Sequence, residues 1–87
     1  MFRIRWTPSA LSDLAAAWMQ ASDKTAVNDA VRKIDQRLLT DPRHEGESRP
    51  GGERILVELP LGVSFDVSPR QPVVYIWRVW LIAKRTK

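Results

Sequence analysis

The chain has 87 residues, of which 44% are hydrophobic and 28% charged, and its formal net charge is +4 at pH 7. These values are typical of one small globular domain and exclude a disordered chain. The sequence contains no cysteine, which excludes disulfides and thiolate metal sites, and the single histidine, His44, cannot form a metal centre alone. We therefore expect no metal and no cofactor. The basic charge favours a polyanionic partner, such as nucleic acid or an acidic protein segment, or forms a solvated surface.

The chain opens with a short segment of alternating polarity. Phe2, Ile4 and Trp6 lie on one side, and Arg3 and Arg5 lie on the other. Alternation of aromatic and β-branched residues with polar ones predicts a strand that buries one face. Because charged residues interrupt the apolar ones, the segment is not typical of a secretory signal.

A first helix is predicted directly after this strand. Thr7 is a suitable N-cap, and Pro8 suits the first helical position because its missing N–H would be unpaired there in any case. The apolar residues that follow have the spacing of one helical face: Leu11, Leu14, Ala15, Trp18 and Met19. We predict that this stripe belongs to the core.

A second helix is predicted to follow, with Ser22 as its cap and Asp23 in its first turn. Its apolar stripe consists of Val27, Ala30, Val31, Ile34 and Leu38. Pro42 cannot continue the helix, which is therefore expected to end near Leu39 or Thr40. Because little chain joins the two helices, they should form an antiparallel hairpin.

The second half of the chain has the pattern of a sheet. Residues 41–53 are rich in Pro, Gly, Ser and charges, which predicts a loop. Three strands are predicted after it, and the middle one, 61–67, has one apolar and one solvated face. The last strand, from Val73, is apolar on both faces, as in the centre of a sheet. Strict alternation places Trp77 and Trp80 on opposite faces of it, with Arg78 beside Trp80.

These elements predict an α+β fold of order β-α-α-β-β-β. The helical hairpin covers one face of a small, mainly antiparallel four-stranded sheet, because nothing else can bury the apolar stripes of the helices. The other face of the sheet stays partly open. The apolar run at the end of the chain is too short for a membrane helix and contains Arg78, so we expect a cytoplasmic protein without a membrane partner.

This order of elements, with several short motifs, resembles the RelE/ParE superfamily of type II toxin–antitoxin toxins, the plasmid-stabilisation type. The motifs are WTPSA at the first helix, DP after the second, GER before the next strand, PLGVSFDV, and VVYIWRV followed by the basic AKR. The resemblance implies one domain over residues 1–87 and a cognate antitoxin that covers the toxin surface. RelE-type toxins cut mRNA on the ribosome, and ParE-type toxins poison DNA gyrase.

The resemblance also implies a catalytic set for RNA cleavage, in which cations stabilise the charge that builds on the attacked phosphate. Carried over to this sequence, the set consists of Arg54, Lys84 and Arg85. The arginine that RelE-type toxins usually carry early in the third strand falls near Gly62 or Ser64, and the tyrosine or histidine beyond the basic tail is missing. The three cations are equally typical of charges that protect a sheet edge from pairing.

Four further residues are candidates for RNA or partner binding. His44 and Arg49 lie among carboxylates in the 41–53 loop, where a histidine can act as a general acid or base or be simply solvated. Arg78 and Trp80 form the combination of arginine and aromatic ring that RNA sites use for stacking. A protein-binding groove favours the same pair, and Arg78 at a rim is the plain structural alternative.

The sequence thus predicts the toxin component of a type II toxin–antitoxin system, with its cognate antitoxin as partner. Its activity is expected to be either ribosome-dependent mRNA cleavage or non-catalytic binding through protein contacts, to a gyrase-type target or to the antitoxin alone. A homodimer formed through the exposed apolar side is the structural alternative.

Overall fold

A computed structural model describes residues 1–82 of the chain. Seven elements follow one another: β1 (Arg3–Trp6), α1 (Pro8–Gln20), α2 (Lys24–Thr40), β2 (Glu47–Ser48), β3 (Arg54–Glu58), β4 (Leu61–Val67) and β5 (Val73–Leu81). The strands form one sheet in the order β1-β5-β4-β3-β2, with β1 parallel to β5 and the other pairs antiparallel. Within residues 1–82, neither helix has the length and apolarity that crossing a membrane requires.

The α+β fold and the order of the predicted elements are confirmed, but the sheet has five strands and not four. The additional strand is β2, in which Glu47 pairs with Ile55 and Ser48 with Arg54. Two polar, exposed residues carry no apolar alternation, so the sequence gives no signal for a strand there. Backbone pairing with β3 and the neighbouring contacts of Arg54 hold it.

A side-chain oxygen caps the N-terminus of each helix. The Thr7 hydroxyl accepts from the Ala10 N–H at 3.2 Å and donates to the Ile76 carbonyl at 2.8 Å, so one side chain caps α1 and fastens it to β5. The cap of α2 is Asp23, whose carboxylate accepts from the Ala26 N–H at 3.0 Å. The prediction of Ser22 as the cap is therefore wrong by one residue.

The core lies between α2, the inner side of α1 and the covered face of the sheet. The predicted stripe of α2 is confirmed, with four of its five residues buried and Val31 half-buried. The sheet contributes these buried side chains: Leu56, Leu61, Val63, Phe65, Val74, Ile76 and Val79. Burial of such apolar area is the main favourable contribution to the stability of a small domain.

The prediction for α1 is confirmed only at Leu14, which is half-buried and packs against the core. The buried residues of α1 are Ala10 and Ala17, whereas Leu11 is 52% exposed, Trp18 39% and Met19 74%. The helix carries two apolar stripes, and the one with small side chains faces the sheet because alanine allows α1 to approach β5 closely. The stripe with large side chains therefore lies on the outside of the helical hairpin.

Candidate functional site

A β-bulge in β5 decides which side chains lie on the open face of the sheet. Ser64 of β4 lies opposite Arg78, but the next residue, Phe65, lies opposite Ile76. Trp77 is therefore an extra residue between these two pairs. Such an insertion reverses the alternation of all later side chains in the strand.

The bulge brings the aromatic residues of β5 together on the open face. Trp77 stacks on Tyr75, with ring centroids 5.8 Å apart and 25° between the planes. The Trp77 indole N–H donates to Asp66 Oδ2 at 3.2 Å. The prediction that Trp77 and Trp80 lie on opposite faces is therefore wrong, and we call the group Tyr75, Trp77, Arg78 and Trp80 the aromatic face.

Trp80 lies against the backbone of β4. It is opposite Gly62, and a Cβ atom built on Gly62 would be 2.5 Å from the indole ring. The neighbouring Ser64 is only 2% exposed, and within residues 1–82 its hydroxyl has no hydrogen-bond partner. The polar face predicted for β4 is therefore covered at Ser64 and at Gly62, where the Trp80 ring occupies the space above the glycine.

Arg78 is attached to the first helix. Its Nε–H donates to Asp13 Oδ2 at 2.7 Å, and the same oxygen accepts from the Val79 N–H at 3.1 Å. The hydrogen bond from Arg78, followed by that from Val79, lowers the pKa of Asp13. Asp13 thus fixes the guanidinium of the aromatic face and also satisfies the backbone of β5 beyond the end of β1.

Arg54 has a different environment. Its Nε–H donates to the carbonyl of Glu45 at 2.8 Å, and a second guanidinium nitrogen donates to the carbonyl of Gly46 at 3.3 Å. Arg54 lies opposite Phe65, whose side chain is buried on the helix side of the sheet. The structure thus places this predicted catalytic residue apart from the aromatic face, as a clamp on the loop before β2.

His44 and Arg49 also lie away from the aromatic face. The His44 ring contacts the Asp41 carboxylate at 2.8 Å, and Arg49 pairs with Glu47 at 3.1 Å. Both are exposed and flank β2, which is three strands from β5, or about 14 Å at the usual strand spacing. Lys84 and Arg85 lie outside the described residues.

The candidate site is therefore an aromatic surface with one paired guanidinium. Its rings can stack on a base or cover an apolar surface of a protein, and Arg78 can contact an anion without leaving Asp13. Within residues 1–82 no group of three acidic or histidine side chains is placed to hold a metal ion. Of the predicted binding residues, only Arg78 and Trp80 are brought together.

Two features of the site were missed by reasoning from the sequence. One is Asp13, which lies 65 positions from Arg78 and carries no local signal of the contact. The other is the bulge, for which a signal existed: strict alternation placed the charged Arg78 on the face of the apolar Val74 and Ile76. Inserting one residue at Trp77 removes this conflict.

Comparison with solved structures identifies the fold. A chain of the toxin–antitoxin complex RelBE2 from Mycobacterium tuberculosis matches with a TM-score of 0.75 at 17% identity, covering 95% of this chain and 93% of that one. A chain of the chromosomal ParDE TA system from P. aeruginosa matches with a TM-score of 0.65 at 22% identity, covering 95% and 98%. No family model matches the sequence, and no curated protein does. The chain therefore shares its fold with these chains from two toxin–antitoxin systems.

Proposed function

We propose that this chain is the toxin of a type II toxin–antitoxin pair and that it acts in the cytoplasm as a single domain. The observation that carries the proposal is the fold, which over 95% of the chain matches chains from two toxin–antitoxin systems. A cognate antitoxin is accordingly its first partner. A shared fold raises the expectation of a shared role, and the local site decides the activity.

We further propose that the toxin acts through protein contacts made by its aromatic face. Three features of the site support this mode over RNA cleavage. The resemblance implies the arginine of RelE-type toxins near Gly62 or Ser64, neither of which carries a cation, and at Gly62 the Trp80 ring fills the space where a side chain would begin. Arg78 is bound to Asp13, and Arg54 is bound to two loop carbonyls. Exposed aromatic rings around one arginine are typical of a protein-binding centre.

Ribosome-dependent mRNA cleavage is the second candidate. Arginine and tryptophan on one face, as Arg78 and Trp80 are, can stack on unpaired bases. In this mode the cations of the basic tail, Lys84 and Arg85, would contact phosphate together with the aromatic face. A homodimer formed through the aromatic face would cover the surface that a protein target or mRNA would contact.

Induced expression in a bacterial host separates these possibilities. We expect growth arrest by the wild-type chain, no codon-phased cuts when cellular mRNA is analysed by primer extension, and a change in DNA supercoiling if gyrase is the target. Codon-phased cuts that disappear in a Lys84→Ala, Arg85→Ala variant would instead establish the nuclease. Arg54→Ala is unsuitable for this test because it also removes the clamp on the loop.

A matched pair of tryptophan variants locates the active surface. Trp77 and Trp80 are 44% and 38% exposed on the aromatic face, and Trp18 is 39% exposed on the other side of the molecule. We expect Trp77→Ala with Trp80→Ala to abolish the arrest and Trp18→Ala to preserve it. Circular dichroism of each purified variant checks that the fold is retained. Equal arrest by all three chains would exclude the aromatic face.

A further inference from the structure

The edge strand β1 and the second half of α2 enclose a cleft that the proposed toxic activity does not use. The cleft has a volume of about 480 Å³. It is lined by Met1, Phe2, Arg3, Ile4, Trp6, Asp35 and Leu39. Trp6 pairs with the buried Ile76, whereas Arg5 pairs with Tyr75 of the aromatic face. Because side chains alternate along a strand, the cleft and the aromatic face lie on opposite sides of the sheet.

Asp35 places a carboxylate in this mainly apolar cleft. Its side chain is half-buried, and burial raises its pKa. Within residues 1–82 it accepts one hydrogen bond, from the Trp6 indole N–H to Oδ1 at 3.0 Å. The amide oxygen of an asparagine could accept the same hydrogen bond without the cost of desolvating a charge. The negative charge of Asp35 is therefore not needed to hold Trp6, and it is available to a ligand.

No cation within residues 1–82 forms an ion pair with this carboxylate. The cationic groups of β1, of the second half of α2 and of the flanking segments are Arg3, Arg5, Arg32, Lys33, Arg37, Arg43 and the α-amino group of Met1. Arg32 pairs with Asp29, and Arg37 pairs with Glu45. Asp35 thus differs from Asp29, which is exposed and has a cation on its own helix.

We propose that the cleft is a binding site for a small organic cation that carries one ammonium group on an apolar chain. The ammonium would pair with Asp35 beside the Trp6 ring, and the chain would lie against Ile4 and Leu39. A cleft of this volume, mainly apolar with one charged group, is typical of small-molecule sites. An anionic ligand would face the carboxylate, and a neutral one would leave it unpaired. The inference does not depend on the proposed toxic activity.

Titration of the full chain with n-hexylammonium, followed by NMR of the indole N–H groups, tests the inference. The four indoles belong to Trp6, Trp18, Trp77 and Trp80, and Trp6→Phe assigns the first. We expect the Trp6 signal to shift with a dissociation constant of about 0.1–1 mM, as is usual for a ligand of this size. The other three signals should not move. 1-Hexanol and hexanoate, with the same chain length, should bind about 10-fold more weakly or not at all.

A matched pair of variants assigns the binding to the carboxylate. Asp35→Asn keeps an acceptor for Trp6 and should weaken hexylammonium binding about 10-fold or more, whereas Asp29→Asn should bind as the wild type does. The affinity of the wild type should fall as the pH is lowered through the folded-state pKa of Asp35, because the neutral acid no longer attracts the ammonium.

Three results would each overturn the inference: wild-type affinity in Asp35→Asn, equal binding of 1-hexanol, or a shift confined to Trp18 on the helical hairpin. Binding at Asp35 by a chain that causes no growth arrest would support the inference and overturn the proposed toxicity, so the two failures are distinguishable.

Discussion

The indole ring of Trp80 lies on the Cα atom of Gly62, its cross-strand partner, so that a Cβ atom on Gly62 would be 2.5 Å from the ring. This contact joins two properties of the molecule. It places an aromatic surface on the open face of the sheet, and it leaves no room for a side chain at Gly62, one of the two positions near which the resemblance implies the arginine of RelE-type toxins. The Trp80 ring can therefore lie in this position because Gly62 has no side chain.

The contact predicts a coupling between the two positions. Gly62→Ala should lower the free energy of unfolding by about 1–3 kcal/mol, the usual cost of overpacking a filled site. In a chain that already carries Trp80→Ala, the same substitution should cost less, since the ring that it meets is gone. Urea denaturation of the four chains measures the coupling. Equal costs in both backgrounds would show that the ring does not exclude a side chain at Gly62.

The Arg78–Asp13 contact predicts a dependence of stability on pH. Hydrogen bonds from Arg78 and Val79 hold the folded-state pKa of Asp13 below its ordinary value of 3.8. A carboxylate with a depressed pKa adds stability that is present above the unfolded pKa and is lost as the pH falls through the folded one. Asp13→Asn should therefore be less stable than the wild type at pH 7, and the difference should shrink in acid below pH 3.8.

Asp29→Asn is the control for this titration, because the Asp29–Arg32 pair is exposed and lies within one helix. Its stability should follow that of the wild type at each pH. If Asp13→Asn behaves in the same way, the carboxylate does not hold β5 and the position of Arg78 has another cause.

Asp35 predicts a pH dependence of the opposite sign. Burial raises its pKa above 3.8, and the hydrogen bond from the Trp6 indole at 3.0 Å only partly offsets this. Because the charged form is disfavoured in the folded state, this group makes the protein less stable as the pH rises through its folded pKa. Asp35→Asn keeps an acceptor for Trp6 and should be more stable than the wild type at pH 7. The gain should vanish below pH 3.8, and a gain independent of pH would contradict the assignment.

The clamp formed by Arg54 predicts a structural role for a residue that the resemblance makes catalytic. Arg54→Ala removes hydrogen bonds to the carbonyls of Glu45 and Gly46 and should lower the free energy of unfolding by about 1–3 kcal/mol. Arg49→Ala, which removes only an exposed ion pair, should change it by less than about 1 kcal/mol. Chemical denaturation distinguishes these values. An Arg54→Ala chain with unchanged stability and lost toxicity would return Arg54 to the active surface.

The elements of this fold could be predicted where the signal is local. Thr7 and Pro8 fix the start of α1, and the stripe from Val27 to Leu38 fixes the inner side of α2, because capping and periodicity depend on near neighbours. The inner side of α1 could not be fixed in this way. Periodicity alone does not distinguish the stripe of Leu11 and Met19 from the stripe of Ala10 and Ala17, and the close approach to β5 decides between them.

The candidate site was predictable only in part. The pairing of an arginine with an aromatic ring directs attention to Arg78 and Trp80, which the structure does bring together. The resemblance adds Arg54 as a catalytic residue, although side chains alternate along β3 and that of Arg54 belongs to the other side of the sheet. The grouping of Trp77 with Trp80 depends on the bulge, and the position of Arg78 depends on Asp13, a residue distant in sequence.

The central claim is that this chain is a toxin that acts through its aromatic face. Its most direct test is bacterial growth after induced expression, at matched levels of folded protein. The three chains compared are the wild type, the Trp77→Ala, Trp80→Ala variant and the Trp18→Ala variant. The account predicts arrest by the wild type and by Trp18→Ala, and normal growth with the aromatic-face variant. Normal growth with the wild type, or arrest by all three chains, would contradict it.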